Sequence, residues 1–199
     1  MKKLILIILL LTVTGCSVVR IDTKDLGNTI SVVLSKDNKL YNQIGKGYKY
    51  YIPRGVSYMD TNSYNEVLYA SGNYYYLYID TISYYHKVSR DYKENKEAYY
   101  SKTIDLNNKK GYIEINKQKD NNYFVEFMYN YAKIETVVTL KDIEEVILNA
   151  SYMLSTIKFN DNVIKLMLDD EFLSLDEQYD IFTSKQETSD FLKLEEEVK

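Results

Sequence analysis

Tryptophan is absent from this 199-residue chain, and cysteine, proline and histidine occur once each, as Cys16, Pro53 and His86. A lone cysteine excludes an internal disulfide and any zinc site built from several thiolates. With one histidine, a metal site would have to draw on carboxylates, a donor set that suits Ca²⁺ better than Zn²⁺. Asp60-Thr61-Asn62 offers oxygen donors, but Tyr64 stands where a calcium loop wants another and the required glycine is missing. No Gly-x-Ser-x-Gly elbow accompanies His86. The 29 acidic residues make carboxylate pairs available without marking any one pair. No metal and no cofactor is expected. An excess of basic residues is also missing, since 25 Lys and Arg against 29 Asp and Glu give a formal charge of −4, which argues against nucleic acid as a partner.

What is present begins at the amino terminus. Lys2 and Lys3 precede an apolar stretch from Leu4 to Leu11, and Val13-Thr14-Gly15 leads directly into Cys16. Eight to ten apolar residues span roughly 12 to 15 Å, about half of a ~30 Å hydrocarbon core, so the stretch is too short for a transmembrane helix. The arrangement resembles a bacterial lipoprotein signal peptide. That resemblance implies cleavage between Gly15 and Cys16, a diacylglyceryl group on the Cys16 thiol, and a lipid anchor on the extracytoplasmic face of the cell membrane. Two or more acyl chains hold a protein there stably, whereas one gives marginal binding. An ordinary secretory signal with an incidental cysteine is the alternative. The chain thus divides into a signal peptide (1–15), a lipidated tether (16–23) whose reach is at most ~25 Å, and one domain (24–199). Loss of Lys2 and Lys3 leaves 23 basic residues against 29 acids, a charge of −6.

Tyrosine is the compositional outlier, with 22 copies against 6 Phe. A tyrosine-lined surface stacks on sugar rings or holds a peptide. Alternatively Tyr, Lys, Asn and Ile are abundant together because of an AT-rich coding sequence, with Tyr used as a strand and core aromatic.

Periodicity predicts an amphipathic helix from Thr23 to about Ser35 through Leu26, Ile30, Val33 and Leu34, with Gly27 weakening its first turn. Tyr48 to Ile52 reads as an aromatic strand stopped by Pro53 and Gly55. Asn65–Ala70 and 74–85 flank Ser71-Gly72-Asn73 as a hairpin. In its second arm Tyr74, Tyr76 and Tyr78 face one way, and Tyr75, Leu77 and Ile79 the other, as expected for a central strand covered on both sides. Residues 87–98 are polar without a period, an exposed loop or frayed helix. A second hairpin joins 111–115 to 122–129 through 117–121. β character continues over 132–138, with a bulge or tight turn near Asn130. Ile143, Val146, Ile147, Ala150, Leu154 and Ile157 then share a helical face behind a capping-box-like Thr139 and Asp142. Helical character is expected again over 163–168 and 188–198, with 172–182 ambiguous.

A leading helix, an aromatic strand closing on Tyr51-Ile52-Pro53-Arg54-Gly55-Val56, successive antiparallel strands and a long helix ending in Ser-Thr-Ile-Lys-Phe together resemble the Mog1/PsbP-like fold. The resemblance covers roughly residues 24–160. It implies an α+β, α/β/α arrangement in which an antiparallel sheet is sandwiched by helices, with 160–199 as a helical extension. An aromatic at the position of Val56 would be more usual. The family has no shared catalytic centre and often supplies binding or assembly functions, and no residue role transfers from it.

Four side chains stand out as ligand-binding candidates. Arg54 is one of three arginines and follows a strand between Pro53 and Gly55, where a guanidinium could hold a carboxylate or phosphate, make a local salt bridge, or cap backbone carbonyls. Tyr76 and Tyr78 are the candidate stacking residues, and His86 the candidate acid–base group. The expectation is a non-enzymatic lipoprotein that binds or supports an envelope protein. Alternatives are a module for cell-wall glycan or another small ligand and, third, an envelope hydrolase.

Overall fold

The structure is a computed structural model, and it describes residues 25–62, 65–89, 91–169 and 181–185. Cys16, the signal peptide, the tether, and the segments expected at 172–180 and 188–198 lie outside the described residues.

The chain builds helix α1 (Leu26–Leu34), strands β1 (Gln43–Gly45), β2 (Tyr48–Tyr50), β3 (Ser57–Asn62), β4 (Asn65–Ala70) and β5 (Asn73–Ile79), and a short helix α2 (Thr81–Tyr85). There follow β6 (Tyr100–Leu106), β7 (Lys109–Lys117), β8 (Asn122–Tyr129) and β9 (Ala132–Thr139). The order ends with α3 (Ile143–Thr156), β10 (Lys158–Phe159) and α4 (Asp161–Asp169). An antiparallel seven-stranded sheet runs β3-β4-β5-β9-β8-β7-β6, and a small antiparallel sheet runs β1-β2-β10. The class is α+β, as the residue pattern predicts.

Two-residue turns fix the registers. Ser71-Gly72, Asn107-Asn108 and Asn130-Tyr131 each place both central residues at positive φ, the mirror-image turn that matches the twist of paired strands. Gly and Asn suit that conformation; Tyr131, at φ 62°, is a bulky side chain held there at a cost of roughly 1–2 kcal/mol. The slip in alternation near Asn130 is therefore a tight turn.

Because strand side chains alternate, the large sheet has two buried faces. On the first, Leu68, Tyr75, Leu77, Ile113, Val125, Phe127 and Ile134 pack with Ile30 and Leu34 of α1 and Val146, Ile147 and Leu154 of α3. On the second, Val67, Tyr76, Tyr78, Tyr112, Phe124 and Met128 pack with Ile181 and Phe182. The expected division of β5 into a Tyr76/Tyr78 face and a Tyr75/Leu77/Ile79 face is what forms.

Several boundaries differ from expectation. The strand expected to reach Tyr85 stops at Ile79, because the Asp80 carboxylate accepts from Ser83 N–H at 2.7 Å and caps α2, overriding the β preference of Thr81-Ile82-Ser83-Tyr84-Tyr85. α1 starts at Leu26, where Asp25 accepts from Asn28 N–H at 3.0 Å. The first aromatic strand ends at Tyr50, and β1, β3, β6 and β10 fall outside the strands that the residue pattern predicts. Thr139 does meet Asp142, at 2.6 Å, but side chain to side chain rather than through the backbone.

Candidate functional site

The most unusual chemistry lies on the second face, where three strands carry a glutamate at mid-length between residues of strand-forming type: Ile113-Glu114-Ile115, Val125-Glu126-Phe127 and Ile134-Glu135-Thr136. The registers bring them into one row, Ser101 opposite Glu114, Glu114 opposite Glu126, Glu126 opposite Glu135, and Glu135 opposite Tyr76. All three glutamates are 3 % exposed or less. Like charges opposite one another repel, so the row persists only through its partners.

Lys133 supplies the cation. Its ammonium is 2.8 Å from Glu135 and 3.3 Å from Glu126, itself buried. Glu126 also accepts from the Ser184 hydroxyl and the Lys185 N–H, both at 2.6 Å. Residues 181–185 are thereby tied across the sheet. Burial raises the Glu126 carboxyl to about 7, against the opposing pull of Lys133, Ser184 and the Lys185 N–H. Glu114 is different. Burial pushes it up too, but hydrogen bonds from Asn95, Tyr92 and Asn116 outweigh that and hold it below the usual carboxylate range. Glu135 Oε2 is buried without a hydrogen-bond partner among the described residues.

The loop over 87–98, expected to be exposed, therefore contributes Tyr92 and Asn95 as a cover for Glu114. Tyr92 stacks on Tyr112 with ring centroids 4.3 Å apart and planes 12° from parallel. The outer side of that pair borders a cavity of about 420 Å³, closed elsewhere by Met128, Tyr131 and Phe182, with Asp91, Asp105 and Lys110 at its rim.

A second carboxylate ties the two sheets together on the first face. Buried Glu66 of β4 accepts from the hydroxyls of Tyr48, at 2.5 Å, and of Tyr50. Burial first, then the charge of Glu66, raises both phenols well above the tyrosine range. Just past β2, the Tyr51 N–H is bonded to Thr156 Oγ1 of α3 at 3.0 Å, which also ties the small sheet to that helix. Between it and α4 lies an open groove of about 620 Å³ bordered by Tyr41, Ile44, Tyr84, Phe159 and Val163.

The four candidate side chains do not converge. Tyr76 and Tyr78 are buried at 4 % and 7 % exposure in the second core, so neither presents a ring to a sugar in this conformation. Arg54 sits exposed in the turn after Pro53 and makes no ion pair among the described residues. His86 is the exposed C-terminal cap of α2, edge-on to Tyr85. Among the described residues no three of His, Cys, Asp and Glu are placed to share a metal ion. The glutamate row was the missed feature, and part of its signal was available: an acid between two apolar residues at Glu114 and Glu126, and between Ile134 and the β-branched Thr136 at Glu135.

No protein-family model, curated protein or solved structure matches this chain.

Proposed function

We propose that this protein is a lipid-anchored extracytoplasmic lipoprotein, held through diacylglyceryl-Cys16, whose α+β domain binds an envelope protein without catalysing a reaction on it. The anchor rests on the sequence Lys2-Lys3, Leu4–Leu11 and Val13-Thr14-Gly15-Cys16. No helix among the described residues is long and apolar enough to cross a membrane. For the finer architecture we propose a Mog1/PsbP-like sandwich with a helical extension; α1 and α3 packed together on one sheet face support one of its helical layers, and α4 after β10 supports the extension.

The observation that carries the binding reading is the groove beside the small sheet. Ile44 is 70 % exposed and Tyr41 51 %, and both border it together with Val163, above the stacked rings of Tyr84 and Phe159, 3.9 Å apart. Clustered exposed apolar side chains of this kind mark contact surfaces. Lys49 lies over the Tyr41 ring at 3.9 Å, and Lys158 also borders the groove while pairing with Asp37 at 3.8 Å. The one acid of the lining, Asp161, accepts from the Tyr84 hydroxyl, which leaves Lys49 as the cation facing a partner. The partner surface that fits is apolar with acidic flanks.

Two experiments test this. Replacing Cys16 with Ser should release the protein from membranes; unchanged retention contradicts the anchor. Crosslinking the anchored protein and identifying its neighbours should yield the same envelope protein in repeated preparations, lost in I44D; no reproducible neighbour contradicts partner binding.

A further inference from the structure

We infer that the 420 Å³ cavity on the second sheet face is a binding site for an organic cation, an ammonium group carried on an aromatic or short apolar body. This goes beyond the partner groove, which lies beside the small sheet and shares no lining residue with it.

Size is the first reason, since small-ligand sites occupy about 300 to 1,000 Å³. The second is the wall. Tyr92, Tyr112, Tyr131 and Phe182 all border the space, with the thioether of Met128 between strands. Aromatic faces carry negative quadrupole density and attract ammonium groups more strongly than neutral or anionic ones. The Tyr92–Tyr112 stack and the edge-on Tyr131–Phe182 pair, with centroids 6.1 Å apart, fix these rings before any ligand arrives. Tyr131 holds its place from a backbone conformation that bulky residues avoid, so its position is imposed by its packing against Tyr84, Phe159 and Phe182.

Charge is the third reason. Of the two lysines bordering the cavity, Lys110 is neutralised by Asp91 at 2.8 Å. Lys109, one residue earlier in β7, projects to the opposite sheet face, where its ammonium lies 5.9 Å from the Tyr129 ring centroid and senses Lys158 and Asp37. Asp105, on the cavity side of β6, stands directly opposite Lys110, so two carboxylates, Asp91 and Asp105, share that one ammonium. Behind the Tyr92–Tyr112 wall, Glu114, Glu126 and Glu135 face a single Lys133. Among the described residues the charged groups around the cavity are therefore net negative, which favours cations.

The test is equilibrium dialysis of the full chain, in a mild detergent, against phenethylammonium and against 3-phenylpropionate, which has a similar body and the opposite charge. Phenethylammonium should bind saturably at one site, at least about ten-fold more tightly than the acid. D105N should weaken it about five-fold. T103W and S89W, at exposed rim positions, should abolish it, with circular dichroism confirming that each variant is folded. No saturable uptake of phenethylammonium, equal or tighter binding of 3-phenylpropionate, or binding untouched by both tryptophan variants would overturn the assignment.

Discussion

Glu126 and Glu135 stand directly opposite each other on β8 and β9, and the one ammonium between them, that of Lys133, is 3.3 Å from the first and 2.8 Å from the second. Two buried carboxylates thus share a single cation. Removing it strands them. K133M should therefore destabilise the domain by about 3 to 5 kcal/mol, the usual cost of leaving a buried charge unpaired. Urea unfolding checks this, and a variant as stable as the parent would show that the row is held by something other than Lys133.

Burial of the Glu126 carboxyl, only partly offset by Lys133, also makes stability depend on pH. The Glu126 carboxyl moves from an ordinary 4.5 to about 7 on folding, so the folded chain binds that proton more tightly than the unfolded one. Its stabilising contribution is full below pH 4.5 and is lost as pH rises through about 7, a swing on the order of 3 kcal/mol. Glu114, held low by its hydrogen bonds, runs the other way and loses its contribution as pH falls. In E126Q the decline toward neutral pH should flatten relative to the parent; an unaltered profile would remove Glu126 as its source.

Tyr50 and Glu66 couple the small sheet to the large one. Y50F deletes one of two hydroxyls donated to a buried carboxylate and leaves that oxygen without its donor. A loss of about 2 kcal/mol in chemical unfolding is expected. Wild-type stability in Y50F would mean that Tyr48 alone satisfies Glu66.

Gly47 marks the contact of α4 with the β1–β2 turn. Its φ is +82°, its carbonyl accepts from Asn160 N–H at 2.8 Å, and a Cβ there would meet Ile164 Cγ1 at 2.7 Å. Gly55 has a similar φ of +87° with open space around it. Both alanine variants carry the backbone cost of about 1 kcal/mol or more, but G47A adds a clash and should also expose residues 160–169 to proteolysis. Equal behaviour of G47A and G55A would show that α4 does not depend on this contact.

How much of this was legible depends on whether a residue's neighbours are local. The two faces of β5, the turns at 71–72 and 130–131 and α3 follow from alternation, turn residues and period, which are properties of consecutive residues. Asp80 broke the pattern because one capping hydrogen bond outweighed four β-prone residues, Thr81, Ile82, Tyr84 and Tyr85. β6 escaped because it is an edge strand whose Tyr-Ser-Lys-Thr-Ile-Asp-Leu sequence buries little, with Ile104 its one fully buried side chain. Alternation predicts that Tyr76 and Tyr78 are covered, but their choice as stacking candidates failed because what covers them, Ile181 and Phe182, lies about a hundred residues further along the chain. The glutamate row depends on three registers at once, and no single stretch of sequence contains it.

The proposed partner site is tested most directly by a photoreactive amino acid placed at Ile44 in the membrane-anchored protein, with Lys119, exposed in the β7–β8 turn, as the control position. The expected result is one discrete envelope-protein adduct from position 44, absent from position 119 and lost when Tyr41 and Val163 are replaced with Asp. Equal labelling from both positions, or none from position 44, would contradict the account.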